Sequence, residues 1–205
     1  YMFNECNSLK EINLPETLAR IENHAFYNCD ALTELNLPSQ VKTIGSNAFY
    51  DCDALTKVTI PSTVTEMGSY VFYHCDSLSE VTLGSGLTSL PSYAFAQCPK
   101  LANIVLPYRM TKINDNAFNA CTGLTEVTMP RGMASIGSQV FSYPGKLTIY
   151  GIKGTYAETY ANDNGITFVN REVNAEKAEL NETSLRIGKG YSKQLFLTVT
   201  PANCT

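Results

Sequence analysis

Six of the seven cysteines stand at one interval: Cys6, Cys29, Cys52, Cys75, Cys98 and Cys121 are each 23 residues apart, and only Cys204 falls outside the series. Phe3, Phe26, Phe49, Phe72, Phe95, Phe118 and Phe141 keep the same step, as do Ile21, Ile44, Met67, Leu90, Ile113 and Ile136. A fixed period of this length is the mark of a repeat architecture. Written once, the unit reads Ile44-Gly45-x-x-Ala48-Phe49-x-x-Cys52-x-x-Leu55-x-x-Val58-x-Ile60-Pro61-x-x-Val64. So short a unit cannot bury its apolar face alone, and neighbouring units must stack around a shared core.

Within each unit, Val58-x-Ile60 alternates apolar and polar residues and is followed by a proline that cannot continue a ladder, which predicts one short strand. Stacking sets these strands about 4.8 Å apart in parallel. The expected fold is therefore a repeat solenoid, mainly parallel β, right-handed because parallel crossovers are right-handed. The strands are expected near Glu34–Leu37, Lys57–Ile60, Glu80–Leu83, Asn103–Leu106 and Glu126–Met129, in one continuous sheet. A second, weaker strand is expected at Val64–Met67 and its equivalents. Ala48-Phe49-x-x-Cys52 reads as a tight turn or a single 3₁₀ turn, too short for a helix.

Composition removes several function classes. The 205 residues are 44% hydrophobic and 17% charged, which excludes a disordered chain. Fifteen basic against nineteen acidic residues leave a net charge of −4, the wrong sign for gripping phosphates, so nucleic acid is not an expected partner. No apolar run approaches the roughly 20 residues of a membrane helix, and the opening residues carry no export signal. Any such signal is expected to lie outside these residues or to have been removed. The first unit starts in its middle without a cap, which reads as an array cut from a longer one.

The pattern I-G-x-x-A-F-x-x-C-x-x-L-x-x-[VL]-x-[IL]-P-x-x-[VL] over residues 1–150 resembles the BspA-like leucine-rich repeat family. The resemblance implies a right-handed leucine-rich repeat solenoid on a secreted or surface-anchored bacterial protein, located outside the cell. It also implies adhesion or binding to a protein or glycan, with host extracellular matrix or mucin among the candidate ligands. Two departures mark the array: Gly84 stands in the proline position, and Pro144 in the cysteine position.

Residues 151–170 leave the period. Tyr156, Ala157, Tyr160 and Ala161 fall on one helical face with Glu158, Asn162 and Asp163 outward, and Asn164-Gly165 supplies a stop before the strand-like Ile166–Val169. This reads as a cap of one short helix and one strand that shields the last apolar layer. Residues 171–178 read as a linker. Residues 179–205 resemble the opening strands of a bacterial Ig-like group 2 domain. Two or three strands cannot close a sandwich of about seven. The fragment is expected to stay frayed or to pair with a second molecule, giving a dimer through residues 179–205.

The periodic cysteines fall at inward positions, three residues before the core leucine. Stacked in one column, they cannot gather four ligands around a point, and CxxC pairs are absent. A ladder of buried free thiols bonded to turn carbonyls is expected, with disulfides between adjacent rungs as the alternative. His24 and His74 occupy different columns and cannot form one ligand set, and no Gly-rich phosphate loop precedes a helix. No active site, cofactor or metal is expected, and the chain is not read as an enzyme.

Two surfaces remain. The strand face presents Glu34, Asn36, Lys57, Glu80 and Glu126 among other polar residues, a mildly acidic strip that reads either as a solvated face or as a binding row. Tyr27, Tyr50 and Tyr73 share one column, and Tyr70 and Tyr93 a nearby one. These rings either pack on one another or form a patch for protein or glycan. Asp30, Asp53 and Asp76 run beside them, but a single row lacks the 6–8 oxygen cage of Ca²⁺. The resulting expectation is a non-enzymatic binding module. The alternative is a structural spacer presenting another domain away from the cell surface.

Overall fold

The computed structural model describes residues 3–171 and two short strands at 179–181 and 184–186. The repeats wind into a parallel β-solenoid of about seven turns. On one side, Glu34–Asn36, Lys57–Thr59 and Glu80–Thr82 pair in parallel, with Leu35, Val58 and Val81 in register. Asn103–Val105, Glu126–Thr128, Thr148–Gly151 and Thr167–Asn170 continue the series. The central residue of each triplet faces the core, and its neighbours, polar except for Val105, face out, as period-two patterning requires. The weaker strand of each unit shrinks to two residues, as in Thr43–Ile44 and Glu66–Met67.

The expected continuous sheet is interrupted. The ladder stops between Glu80–Thr82 and Asn103–Val105, and again between Glu66–Met67 and Ser89–Leu90. The unit at the break is the one that lacks its proline. A Cβ at Gly84 would lie 2.2 Å from the carbonyl oxygen of Pro61, and one at Gly86 would lie 2.4 Å from that of Ser62. The two glycines let this turn settle onto the preceding rung. Val81 and Leu83 are left half-buried, where Val58 and Ile60 are buried.

The turn around each phenylalanine is not a 3₁₀ turn; among the described residues the 3₁₀ conformation is confined to Pro144–Lys146. It is instead bracketed by two left-handed residues per rung. One column is His24, Asn47, Tyr70, Tyr93, Asn116 and Gln139, and the other is Glu5, Asn28, Asp51, His74, Gln97 and Ala120. Asn, Asp and His tolerate positive φ better than most side chains, which suits them to these places. Between the brackets, alternate N–H groups bond to the next rung: His24 to the Ser46 carbonyl at 3.0 Å, Phe26 to Ala48 at 2.8 Å and Asn28 to Tyr50 at 2.8 Å.

Inside, the phenylalanines form an offset stack from Phe3 to Phe141, with centroids 5.2 Å apart at Phe26–Phe49 and 5.8 Å at Phe118–Phe141. The thiols run beside them. Cys29 Sγ donates to the Phe3 carbonyl oxygen at 3.1 Å, Cys52 to Phe26 at 3.2 Å and Cys121 to Phe95 at 2.9 Å. Cys29, Cys52, Cys75, Cys98 and Cys121 are buried free thiols, and Cys6 is half-buried. The ladder reading holds for these residues, and the inter-rung disulfide does not.

At the C-terminal end, the helix Tyr156–Asp163 buries Ala157 and Ala161. The Tyr156 hydroxyl accepts from the Ile136 N–H at 3.3 Å. Gly165, at φ 65°, turns the chain into Thr167–Asn170, which pairs with Thr148–Gly151. Glu158 does not simply face outward: its carboxylate accepts from the Gly154 N–H at 2.7 Å. In the tail, Glu179–Asn181 pairs antiparallel with Ser184–Arg186. The rest of residues 179–205 lies outside the described residues, and the expected pairing with a second molecule with it.

Candidate functional site

Glu34, Asn36, Lys57, Glu80 and Glu126 are all exposed on the strand face. They do not form one row. The ladder interruption sets Glu34, Asn36, Lys57 and Glu80 on one sheet and Glu126 on the next, beside Val105, which is 60% exposed. Lys57 Nζ meets Glu80 Oε2 at 2.9 Å, an exposed pair of little energetic weight. Beside it, Leu35, Asn36, Leu37, Ser39, Thr59 and Pro61 line a shallow hollow of about 330 Å³.

The tyrosines are brought together on the turn side of each rung. Tyr27, Tyr50 and Tyr73 stack with centroids 4.8 Å apart, following the strand repeat. Tyr70 and Tyr93 stack at 4.4 Å. The two stacks join where Tyr73 meets Tyr70 at 5.6 Å and Tyr93 at 6.4 Å, both tilted by 59°. All five rings are half-buried. Tyr50 has a tyrosine against each face, while Tyr27, Tyr73, Tyr70 and Tyr93 each have one face covered by a stacked tyrosine. Gln97 Nε2 donates to the Tyr73 hydroxyl. Burial, and to a smaller degree the Asp51 carboxylate, holds the Tyr50 hydroxyl above its ordinary pKa; burial does the same at Tyr70.

Next to this cluster the fold assembles a charged group that reading single columns missed. Asp51 and His74 are successive members of one left-handed column, while Asp53 and Asp76 are successive members of the column two residues further along each rung. His74 Nδ1 lies 2.8 Å from Asp51 Oδ1 and 3.6 Å from Asp53 Oδ1, and His74 Nε2 lies 3.9 Å from Asp76 Oδ1. The 2.8 Å approach is ionic proximity without hydrogen-bond alignment. Burial pushes the Asp51 carboxyl up, with His74 opposing it; burial and then Asp76 push Asp53 up. The repeat interval carries this signal, because His74 stands 23 residues after Asp51 and so directly over a carboxylate. Asp30, Asp53 and Asp76 form the expected row, but only the neighbouring column gives it a nitrogen.

Together the tyrosine edges and carboxylates make a surface suited to polar and cationic groups. Among the described residues no helix is long and apolar enough to cross a membrane.

Comparison with known proteins agrees with this architecture. Residues 1–107 and 42–165 match the model of the BspA type leucine rich repeat region, in six copies. A leucine-rich repeat protein of Bacteroides ovatus is 26% identical, with a TM-score of 0.61, over 82% of this chain and 47% of its own. The leucine rich repeat protein of T. pallidum is 27% identical, with a TM-score of 0.68, over 82% of this chain and 75% of its own. One from Eubacterium ventriosum, 22% identical over 61% of this chain and 40% of its own, shares the fold with a TM-score of 0.56. The chain thus spans about half the length of the B. ovatus protein. No curated protein is significantly similar to it.

Proposed function

This chain belongs to the BspA-type leucine-rich repeat family, and from that premise we propose that it is a non-enzymatic binding module of a secreted or surface-anchored bacterial protein. The observation that carries this reading is the contiguous cluster of Tyr27, Tyr50, Tyr73, Tyr70 and Tyr93, half-buried and bordered by carboxylates. Tyrosine supplies amphipathic contact area with little rotamer freedom to lose, which is why it is enriched at interfaces. Because at least one face of each ring is occupied by a stacked neighbour, a ligand meets mainly edges and hydroxyls. That favours a protein ligand with polar and basic side chains over a sugar stacked flat on a ring. Extracellular matrix proteins and mucins are the classes to test first, and the strand-face residues Glu34, Asn36, Lys57, Glu80 and Glu126 form the second candidate surface. The reading assigns no catalytic step.

The test is a binding array of matrix proteins and mucin glycans probed with the 205-residue chain, beside Tyr27→Phe/Tyr50→Phe/Tyr73→Phe and Tyr27→Ser/Tyr50→Ser/Tyr73→Ser variants. The Phe variant keeps the stack and removes the hydroxyls. Binding that falls in both variants supports recognition at the tyrosine edge. Binding unaffected by either but lost in Lys57→Glu/Glu80→Lys moves recognition to the strand face. Inertness across the array would overturn the module reading in favour of a spacer that holds another domain away from the surface.

A further inference from the structure

Asp51, Asp53 and His74 bring two carboxylate oxygens and one imidazole nitrogen within 4.8 Å of one another. Ligands about 2.1 Å from a metal, at angles of ~90–110°, stand about 3.0–3.4 Å apart. The observed separations from His74 Nδ1, 2.8 Å and 3.6 Å, bracket that range, and the two carboxylate oxygens lie within 4.8 Å of each other. Two of the three atoms are held only by ionic proximity. His74 Nδ1 and Asp53 Oδ1 are shielded from solvent and have no aligned hydrogen-bond partner, a state that is costly unless something else satisfies them.

Asp76 adds an orientation. Its oxygen lies 3.9 Å from His74 Nε2, on the side away from Asp51 and Asp53. In the ion-free protein the nearer carboxylates draw the ring proton to Nδ1, and a cation that takes its place there leaves the proton on Nε2, facing Asp76. Metal-binding histidines are commonly held this way, with the far ring nitrogen on a carboxylate. The charge also balances, since two carboxylates and a neutral imidazole match a divalent ion. The mixed oxygen and nitrogen donor set suits a borderline transition cation better than Ca²⁺, which asks for 6–8 oxygens.

We propose that Asp51, Asp53 and His74 form a three-ligand site for a divalent transition cation of the Zn²⁺ class, with Asp76 orienting the imidazole. Cation binding there needs no ligand on the tyrosine cluster, although Asp51 and Asp53 border that cluster. It clamps two successive rungs, because Asp51 and Asp53 belong to one and His74 to the next.

The test is calorimetric titration of Zn²⁺ into the chelator-treated 205-residue chain. One equivalent should bind. Asp51→Asn and His74→Asn keep a residue that tolerates the left-handed backbone at φ 53° and 56°, and each should weaken binding at least about tenfold. His24→Asn and the Cys6→Ser/Cys204→Ser double variant should bind as the parent does. In the parent itself, the imidazole resonances of His74 should move on Zn²⁺ addition while those of His24 stay, a readout that holds even if a variant fails to fold. Co²⁺ should give a spectrum without a thiolate charge-transfer band. Absence of binding, binding indifferent to both Asp51→Asn and His74→Asn, or a thiolate band removed by the cysteine variant would each overturn the proposal.

Discussion

The thiol of Cys75 donates to the carbonyl oxygen of Phe49, 3.3 Å away and 26 residues earlier in the chain. Because the next cysteine does the same to Phe72 at 3.2 Å, each thiol ties its rung to the turn of the one before. The bond satisfies a carbonyl that the fold has taken out of water. Cys75→Ala should therefore cost about 1–3 kcal/mol in denaturant unfolding, from the orphaned acceptor and the small void together. A cost below about 0.5 kcal/mol would mean that the thiol only fills space.

Thiol chemistry should divide the cysteines by rung. Burial pushes the Cys29 thiol up to about 11 and those of Cys52, Cys75 and Cys121 further still, so little thiolate exists at neutral pH. A thiol reagent should leave Cys29, Cys52, Cys75, Cys98 and Cys121 unmodified in the native protein and recover nearly all seven after denaturation. Recovery of one or none would reveal disulfides.

The same groups set an alkaline limit. Above a pH near the ordinary value of 9.0, the unfolded chain releases thiol protons that the native chain retains up to about 11 at Cys29 and beyond at Cys52. The unfolded state then binds fewer protons, so stability falls as pH rises through that window, by about 1.4 kcal/mol per pH unit for each such thiol. Thermal melts between pH 9 and pH 11 should show the decline, and Cys52→Ala should make it shallower by the share of one thiol. Parallel declines in both proteins would assign the effect to other groups.

Tyr50 lies between two rings, Tyr27 and Tyr73, whereas Tyr27 touches one tyrosine and His24. Each aromatic pair is worth about 0.5–1.5 kcal/mol beyond area burial. Tyr50→Ser should thus destabilise by about 1–3 kcal/mol, more than Tyr27→Ser, and Tyr50→Phe by much less. Equal costs for Tyr50→Ser and Tyr27→Ser would show that the stack contributes little to stability.

Restoring the repeat at Gly84 should fail. The period places proline there, as at Pro61 and Pro107, and by pattern alone Gly84→Pro would stabilise. In the folded chain any Cβ would meet the Pro61 carbonyl oxygen at 2.2 Å, so the substitution should lower the melting temperature, at a cost of about 1–3 kcal/mol. A raised melting temperature would show that the rung relaxes freely and that the break in the ladder is shallow.

The period alone determined much of this protein. It placed one phenylalanine and one leucine inward in every rung, and one cysteine in every rung but the last, because residues 23 apart must stack at the strand spacing when units cannot bury themselves singly. It also placed Tyr27, Tyr50 and Tyr73 in a single file, and the helix and strand after residue 150 were legible from their own patterning. What the period could not supply is how neighbouring columns approach one another sideways. That depends on the backbone path through each turn, which the left-handed residues Tyr70, His74 and their equivalents bend. Tertiary structure therefore decided that His74 faces Asp53 as well as Asp51, that the two tyrosine files merge at Tyr73, and that the sheet parts where Gly84 lets one rung sink toward the last. Stacking repeats at one spacing makes the columns readable in one dimension, whereas their lateral contacts are set by local turn geometry that varies from rung to rung.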